Sequence, residues 1–273
     1  MVVPWNPGAV VIGPGGTRAY YYLGALRALE ESGRLSEVTT WVGVSAGSLL
    51  SVLMGAGFTA EQMYEESIST DLLALVQVNT FQSLLASWGL MSTLPLEQRL
   101  VILLKAKLGI VPTFKELLDA TGKTVVVVVS DLDARTPLYF SPETTPDVSV
   151  VEAVVASCTV PLLFSQRRYA GHRVIDGAFT DPYPLHVGAR RANTLGLVMM
   201  PAEDTDAIEP YPIASYTLPI HQLKVLAIET WGESPAVYHL PIYTPVLTMD
   251  LFTDEQKRIM ADLGYDIAKT HIS

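Results

Sequence analysis

The sequence predicts an α/β fold built on a mostly parallel sheet. Three observations predict it. Short apolar, strand-like runs alternate with helix-like stretches along most of the chain. One run, residues 123–130, carries five consecutive valines and is suited to burial on both faces of a sheet. Several of the runs end at glycine or a small polar residue just before a helical pattern, as strand–turn–helix units do.

Residues 8–13 are apolar, end in glycine and read as a buried strand. Residues 17–32 read as a helix with Gly33 as its stop. Residues 38–43 read as a second strand, and residues 45–56, apolar and rich in small side chains, as a second helix. Thr59 and Gln62 have capping-box spacing and start a third. From 71 to 108 the pattern is mostly helical, carried by Leu72, Val76, Leu84, Leu85, Trp88, Leu100, Leu103 and Leu104. After the valine strand, Ser149 and Glu152 again have cap spacing, for a helix reaching about Cys158 and ended by Pro161. Residues 173–175 form a short strand running into Asp176, and 194–199 another. Residues 201–217, rich in Pro, Asp and Glu, read as a surface loop, and 218–231 as a helix. Thr253 and Gln256 cap a last helix through about Ala268. With no internal repeat or low-complexity linker, the expectation is one domain over 1–273, with residues 59–120 as a helical lid or insert.

The chain has 273 residues, 49% hydrophobic and 17% charged, enough apolar material for a substantial core. Eighteen Lys and Arg against 28 Asp and Glu give a net charge of −10. That balance lacks the basic footprint of a nucleic-acid binder. It also opposes adsorption to anionic membranes by charge, so any membrane contact is apolar and local. Cys158, the one cysteine, leaves no intrachain disulfide, fits a reducing compartment and reads as a buried small hydrophobe. Residues 1–7 carry neither the basic region nor the apolar run of a signal peptide. The longest aliphatic run, 125–129, is far short of the ~20 residues that span a bilayer. The expectation is a soluble, intracellular, cytoplasmic protein.

Gly43, Val44, Ser45, Ala46 and Gly47 form a G-x-S-x-G where a strand gives way to a helix. A nucleophilic serine needs such a tight turn to expose its hydroxyl, with small residues two positions either side so that strand and helix can crowd it. A serine helix cap between two glycines is the alternative. Residues 13–18 follow the first strand and admit two functional readings. A dinucleotide loop would begin at Gly13 and Gly15, but Arg18 stands where its third glycine belongs. An oxyanion hole needs still, partly dry backbone N–H groups, each stabilising the tetrahedral intermediate by about 3 kcal/mol. Gly15 and Gly16, at a helix start, suit that role.

The serine also needs a proton acceptor. His172, His186, His221, His239 and His271 lie in no compelling local motif, although His221 and His239 come late enough for a Ser-Asp-His order. Asp176-Gly177-Ala178 offers a carboxylate at a strand end, where parallel sheets place active residues. An aspartate has low basicity in water, so such a base would work best partly desolvated. Read alone, Asp-Gly-Ala is also an ordinary turn.

Taken together, these motifs resemble the patatin-like phospholipases. In that family a glycine-rich loop ending in Arg or Lys precedes a G-x-S-x-G at a spacing this chain shares, and a D-G-A or D-G-G follows well downstream. Residues 23–31, residues 156–164, Pro184 and the Gly264-Tyr265 region extend the similarity, which runs over roughly residues 8–200. The resemblance implies a three-layer α/β/α fold and a Ser45–Asp176 dyad without histidine. It implies an oxyanion hole from the amides of Gly15, Gly16 and Thr17, with Arg18 bracing the loop. The implied reaction is hydrolysis of a lipid acyl ester through an acyl-serine, with peripheral membrane contact and no metal or other cofactor. The chain departs from the family at Pro14, Ala19 and Asp181, where Gly, Gly and Asn are common. Pro14 has no N–H to donate.

Residues 72–91 are strongly apolar, and Asp71 is the only charge between Glu66 and Glu97. The stretch could line an acyl channel, touch lipid or pack as a core helix. Tyr20, Tyr21 and Tyr22 read as packing on the first helix. A general carboxylester or thioester hydrolase, an acyltransferase and a non-catalytic lipid-binding protein are alternatives on the same scaffold.

Overall fold

Alternate residues along each strand face opposite sides of the sheet, and here both sides are apolar. The computed structural model describes residues 6–70, 77–78, 91–161, 163–165, 167–201, 214–231, 234–244 and 252–272. The elements begin β1 (Ala9–Ile12), α1 (Tyr20–Glu31), β2 (Thr40–Val44), α2 (Ala46–Gly55) and α3 (Ala60–Thr70). They continue with β3 (Gln77–Val78), β4 (Met91–Ser92), α4 (Leu94–Leu108), α5 (Phe114–Thr121), β5 (Thr124–Asp131), β6 (Thr136–Phe140) and α6 (Val150–Ser157). Then come β7 (Arg167–Tyr169), β8 (His172–Asp176), α7 (Leu185–Ala189), β9 (Thr194–Pro201), α8 (Ala214–Trp231), β10 (Val237–Thr244) and α9 (Asp254–Ile272).

The main sheet runs β10-β9-β1-β2-β5-β8-β7, with β6 also paired to β5. From β10 to β5 the strands are parallel. Beyond that the sheet turns antiparallel. The expected mostly parallel sheet is therefore a mixed one. Val10, Ile12, Trp41, Val125, Val127 and Val129 face the larger core, under α1, α2, α4 and α6. Val11, Val42, Val44, Val126 and Val128 face Leu185 and Val187 of α7 and Ile228 and Trp231 of α8. Two helical layers thus cover one sheet. Met63, Leu100, Leu104, Phe114 and Leu117, from the stretch expected to be a lid or insert, are buried in the larger core.

Several elements depart from expectation. The first helix opens with a separate 3-10 turn, Gly16–Arg18. The Thr59–Gln62 and Thr253–Gln256 boxes, by contrast, form as expected, in both directions. The Ser149 side chain makes no cap bond; its backbone bridges Thr113 instead. Within 71–108, β3 and β4 replace part of the expected helix. Residues 71–76 and 79–90, most of the apolar stretch, lie outside the described residues, as do 202–213 of the expected loop. The strand β10 had no sequence signal, because Pro241 interrupts it and proline cannot donate to a ladder; it is tolerated at a sheet edge.

Candidate active site

The partners of β5 bring Ser45 and Asp176 together. β2 pairs Thr40–Val44 with Thr124–Val128. β8 pairs Val174–Asp176 with Val129–Asp131. β6 pairs Val127–Asp131, overlapping both, so it must occupy the opposite edge of β5. β2 and β8 therefore share one edge and meet nearly end to end. Val44 lies opposite Val128 and Asp176 opposite Val129. Ser45, the next residue after Val44, emerges beside the aspartate.

Ser45 has φ 53 and ψ −129, a left-handed backbone that a non-glycine residue adopts at a cost of about 1–3 kcal/mol. The surroundings over-determine it. Its N–H donates to Ser157 Oγ at 2.9 Å, and that hydroxyl donates to the Val128 carbonyl at 2.6 Å. Its carbonyl accepts from Ser48 Oγ at 2.6 Å and Ser48 N–H at 2.8 Å. Its hydroxyl stands close enough to the Asp176 carboxylate to favour the charged form of that group. Gly43 sits where a Cβ would stand 2.3 Å from the Gly47 carbonyl oxygen. A Cβ on Gly47 would stand 2.3 Å from the Ile12 carbonyl oxygen and 2.6 Å from that of Gly13. This contact presses the start of α2 onto the glycine loop.

Asp176 is 2% exposed. Its N–H donates to the Thr159 carbonyl at 2.9 Å, and its own carbonyl accepts from Ser130 Oγ at 2.8 Å. Its Oδ1 accepts from the Ala178 N–H at 2.9 Å. Burial pushes the carboxyl up to about 7, against the opposing effects of the Ser45 hydroxyl and the Ala178 N–H. Gly177 lies against the Val128 carbonyl, and Ala178 is buried in the smaller core.

The glycine loop joins β1 to α1. Gly16 has φ 53, and the Gly15 and Gly16 carbonyls accept from the N–H groups of Arg18 and Ala19. The amides of Gly15, Gly16 and Thr17 therefore sit at the open N-terminal end of the turn, where N–H groups have no intrahelical acceptor. The Thr17 hydroxyl oxygen is buried without a hydrogen-bond partner among the described residues. Arg18 is buried at 4% exposure, and its charge acts on Tyr21, Tyr22 and Lys224.

Among the described residues, the side-chain partners of Ser45 are Ser157, Ser48 and Asp176, with no histidine ring. His172 contacts Asp131 at 2.7 Å; His186 contacts Tyr139 and His239 contacts Tyr183, each at 3.3 Å. His271 Nδ1 lies 2.8 Å from the Ile267 carbonyl, and His221 stands near Lys224. Asp181 accepts from the Tyr139 hydroxyl at 2.8 Å. Burial raises the Cys158 thiol, as does the Asp176 charge, while a Ser48 hydrogen bond opposes them. Sequence reasoning missed Ser157, Ser130 and Lys224. Their roles come from contacts across the fold, and only Ser157, inside the segment before the aspartate, carried any local signal.

No helix among the described residues is long and apolar enough to cross a membrane. No group of three or more His, Cys, Asp or Glu side chains among them could hold a metal ion. A family model described as Patatin-like phospholipase matches residues 10–188. A protein of Invertebrate iridescent virus 6, named "Probable lipid hydrolase 463L", is 25% identical over 192 residues, 67% of this chain and 64% of its own. An uncharacterised protein of Acanthamoeba polyphaga mimivirus, R571, is 23% identical over 175 residues, 63% of this chain and 58% of its own. The chain thus spans somewhat less than two thirds of these curated relatives. In fold it resembles VipD from Legionella pneumophila, with a TM-score of 0.60 at 17% identity, covering 97% of this chain and 67% of that one. It also resembles ExoU from the type III secretion system of Pseudomonas aeruginosa, with a TM-score of 0.58 at 18% identity, covering 98% of this chain and 52% of that one.

Proposed function

The chain belongs to the patatin-like phospholipase family, and on that premise we propose that it hydrolyses lipid acyl esters of the phospholipase A or lysophospholipase type through a Ser45–Asp176 dyad. The observation that carries this reading is the Ser45 hydroxyl set close against a buried carboxyl that titrates near neutrality. A normal aspartate is too weak a base for a serine hydroxyl; one whose charged form is poorly solvated gains most by accepting the proton.

Ser45 Oγ attacks the ester carbonyl carbon as its proton passes to Asp176. The carbonyl oxygen becomes an oxyanion held by the Gly15 and Gly16 amides, with Thr17 as a further donor and Arg18 bracing the loop. Collapse breaks the ester C–O bond, and the alcohol leaves with the proton from Asp176. A water then gives a proton to Asp176 and attacks the acyl-serine. The tetrahedral adduct collapses, the acid leaves, and Ser45 recovers its proton. A peripheral, apolar contact with a lipid surface would deliver the substrate.

The test is covalent. A fluorophosphonate probe is expected to label one site in the wild-type protein, located at Ser45 by peptide mass spectrometry, and Ser45→Ala to take up no label. Labelling that persists in Ser45→Ala rejects the nucleophile. Labelling without turnover of phospholipid or lysophospholipid vesicles points instead to a general esterase.

The acid limb of the rate follows from Asp176. Only the carboxylate accepts a proton, so kcat should rise with pH and reach half its plateau near pH 7. Below that it should fall about tenfold per pH unit. A kcat that is flat from pH 5 to 8 would sink the assignment.

A further inference from the structure

We propose that the Tyr22 hydroxyl is the positioning group that aims the Gly15 N–H at the reacting oxygen, with Lys224 steadying it through Met199. The proposal rests on the acyl-hydrolase reading above.

Tyr22 lies on α1 and is fully buried. Its oxygen accepts the Met199 N–H at 3.0 Å, leaving its single proton for the Pro14 carbonyl at 3.3 Å. The described residues contain no cis peptide bond. In a trans peptide the C=O and the following N–H point to opposite sides of one rigid plane. Holding the Pro14 carbonyl against Tyr22 therefore turns the Gly15 N–H away from it, toward the open side of the loop. Proline at 14 narrows the choice further by fixing φ. Since proline donates nothing, the alignment of the remaining amides matters more.

The loop rests directly on this brace. A Cβ on Gly15 would stand 3.0 Å from Met199 Cε and 3.1 Å from Tyr22 Cε2. On the other side of Met199, the Lys224 ammonium donates to the Met199 carbonyl at 3.0 Å, from a side chain that is 3% exposed. α8, the end of β9, α1 and the glycine loop are thus joined in one relay. Burial raises the Tyr22 phenol well above its ordinary value, so it stays a donor throughout the working range. Burial and the Arg18 charge bring Lys224 down to about 8, so it is still mainly cationic at neutral pH.

Tyr22→Phe keeps the ring and removes the brace. Removing an oxyanion donor outright costs roughly 10²–10³ in kcat, and misaligning one should cost about tenfold or more. KM should stay within about twofold, because ground-state binding does not use that hydrogen bond. A trifluoromethyl ketone substrate analogue, which forms the oxyanion, should bind more weakly by the same factor as kcat/KM falls, while the matching unreactive ether should bind as before. A merely structural role would not separate the two analogues. A folded Tyr22→Phe with wild-type kcat overturns the proposal. If Tyr22→Phe does not fold, Lys224→Met decides. A severalfold lower kcat at unchanged KM supports the relay, and wild-type kcat overturns it. Wild-type protein that the fluorophosphonate fails to label removes the acyl-hydrolase reading itself. A labelled wild type with an unaffected Tyr22→Phe removes this inference alone.

Discussion

Asp176→Asn is expected to lower ester hydrolysis by on the order of 10³-fold or more and, at pH 8, to raise the melting temperature. The first effect follows because the amide cannot take the serine proton. The second follows from linkage. The carboxyl titrates near 7 when folded, against 3.8 as its ordinary value. Between those values the unfolded chain has lost the proton and the folded protein keeps it. Wild-type stability therefore falls as pH rises through the interval and stays reduced above it. At about 1.4 kcal/mol per unit, a charged Asp176 costs the fold on the order of 4 kcal/mol at pH 8. Asparagine carries no charge and can still accept the Ala178 N–H, so most of that cost should vanish. Thermal unfolding at pH 4 and pH 8 checks this. The two proteins should differ little at the lower pH and by several degrees at the higher one. A less stable variant at pH 8, or one retaining a tenth of the activity, contradicts the role given to Asp176.

Gly47→Ala is expected to destabilise the protein by about 3 kcal/mol or more and to abolish turnover. The new methyl would meet the backbone oxygens of Ile12 and Gly13 at 2.3 and 2.6 Å, and neither can yield as a flexible side chain could. Relief requires α2 to lift from the end of β1, which separates Ser45 from the glycine loop. Gly33→Ala is the matched comparison. Its φ is +74, but nothing lies within 4 Å of a Cβ there. It should cost only about 1–2 kcal/mol of backbone strain and leave turnover intact. Urea unfolding with esterase assays distinguishes the pair, and a Gly47→Ala protein as stable as Gly33→Ala would show that the close approach is not needed.

Much of this organisation is legible locally. The valine run is β5, the G-x-S-x-G is the joint of β2 and α2, and Asp176 ends β8. Two capping boxes read from Thr59 and Thr253 form as spaced. Other features had no local signal. Tyr22 read as packing, since its ring is apolar and its polar partners come from Met199 and Pro14. Lys224 drew no reading of its own within the expected helix 218–231, yet it is buried on a backbone carbonyl. β10 was hidden by Pro241, whose missing N–H matters little at an edge.

The sequence by itself determined the turns that hold Ser45 and the glycine loop, because glycine spacing, capping and hydrophobic period act over a few neighbouring residues. Only the tertiary structure decided that β8 would take the edge of β5 where β2 stops, bringing Asp176 against Ser45 and burying it enough to raise its carboxyl to about 7. Strand pairing and desolvation are properties of residues brought together by the whole fold, and no short stretch of chain encodes them alone.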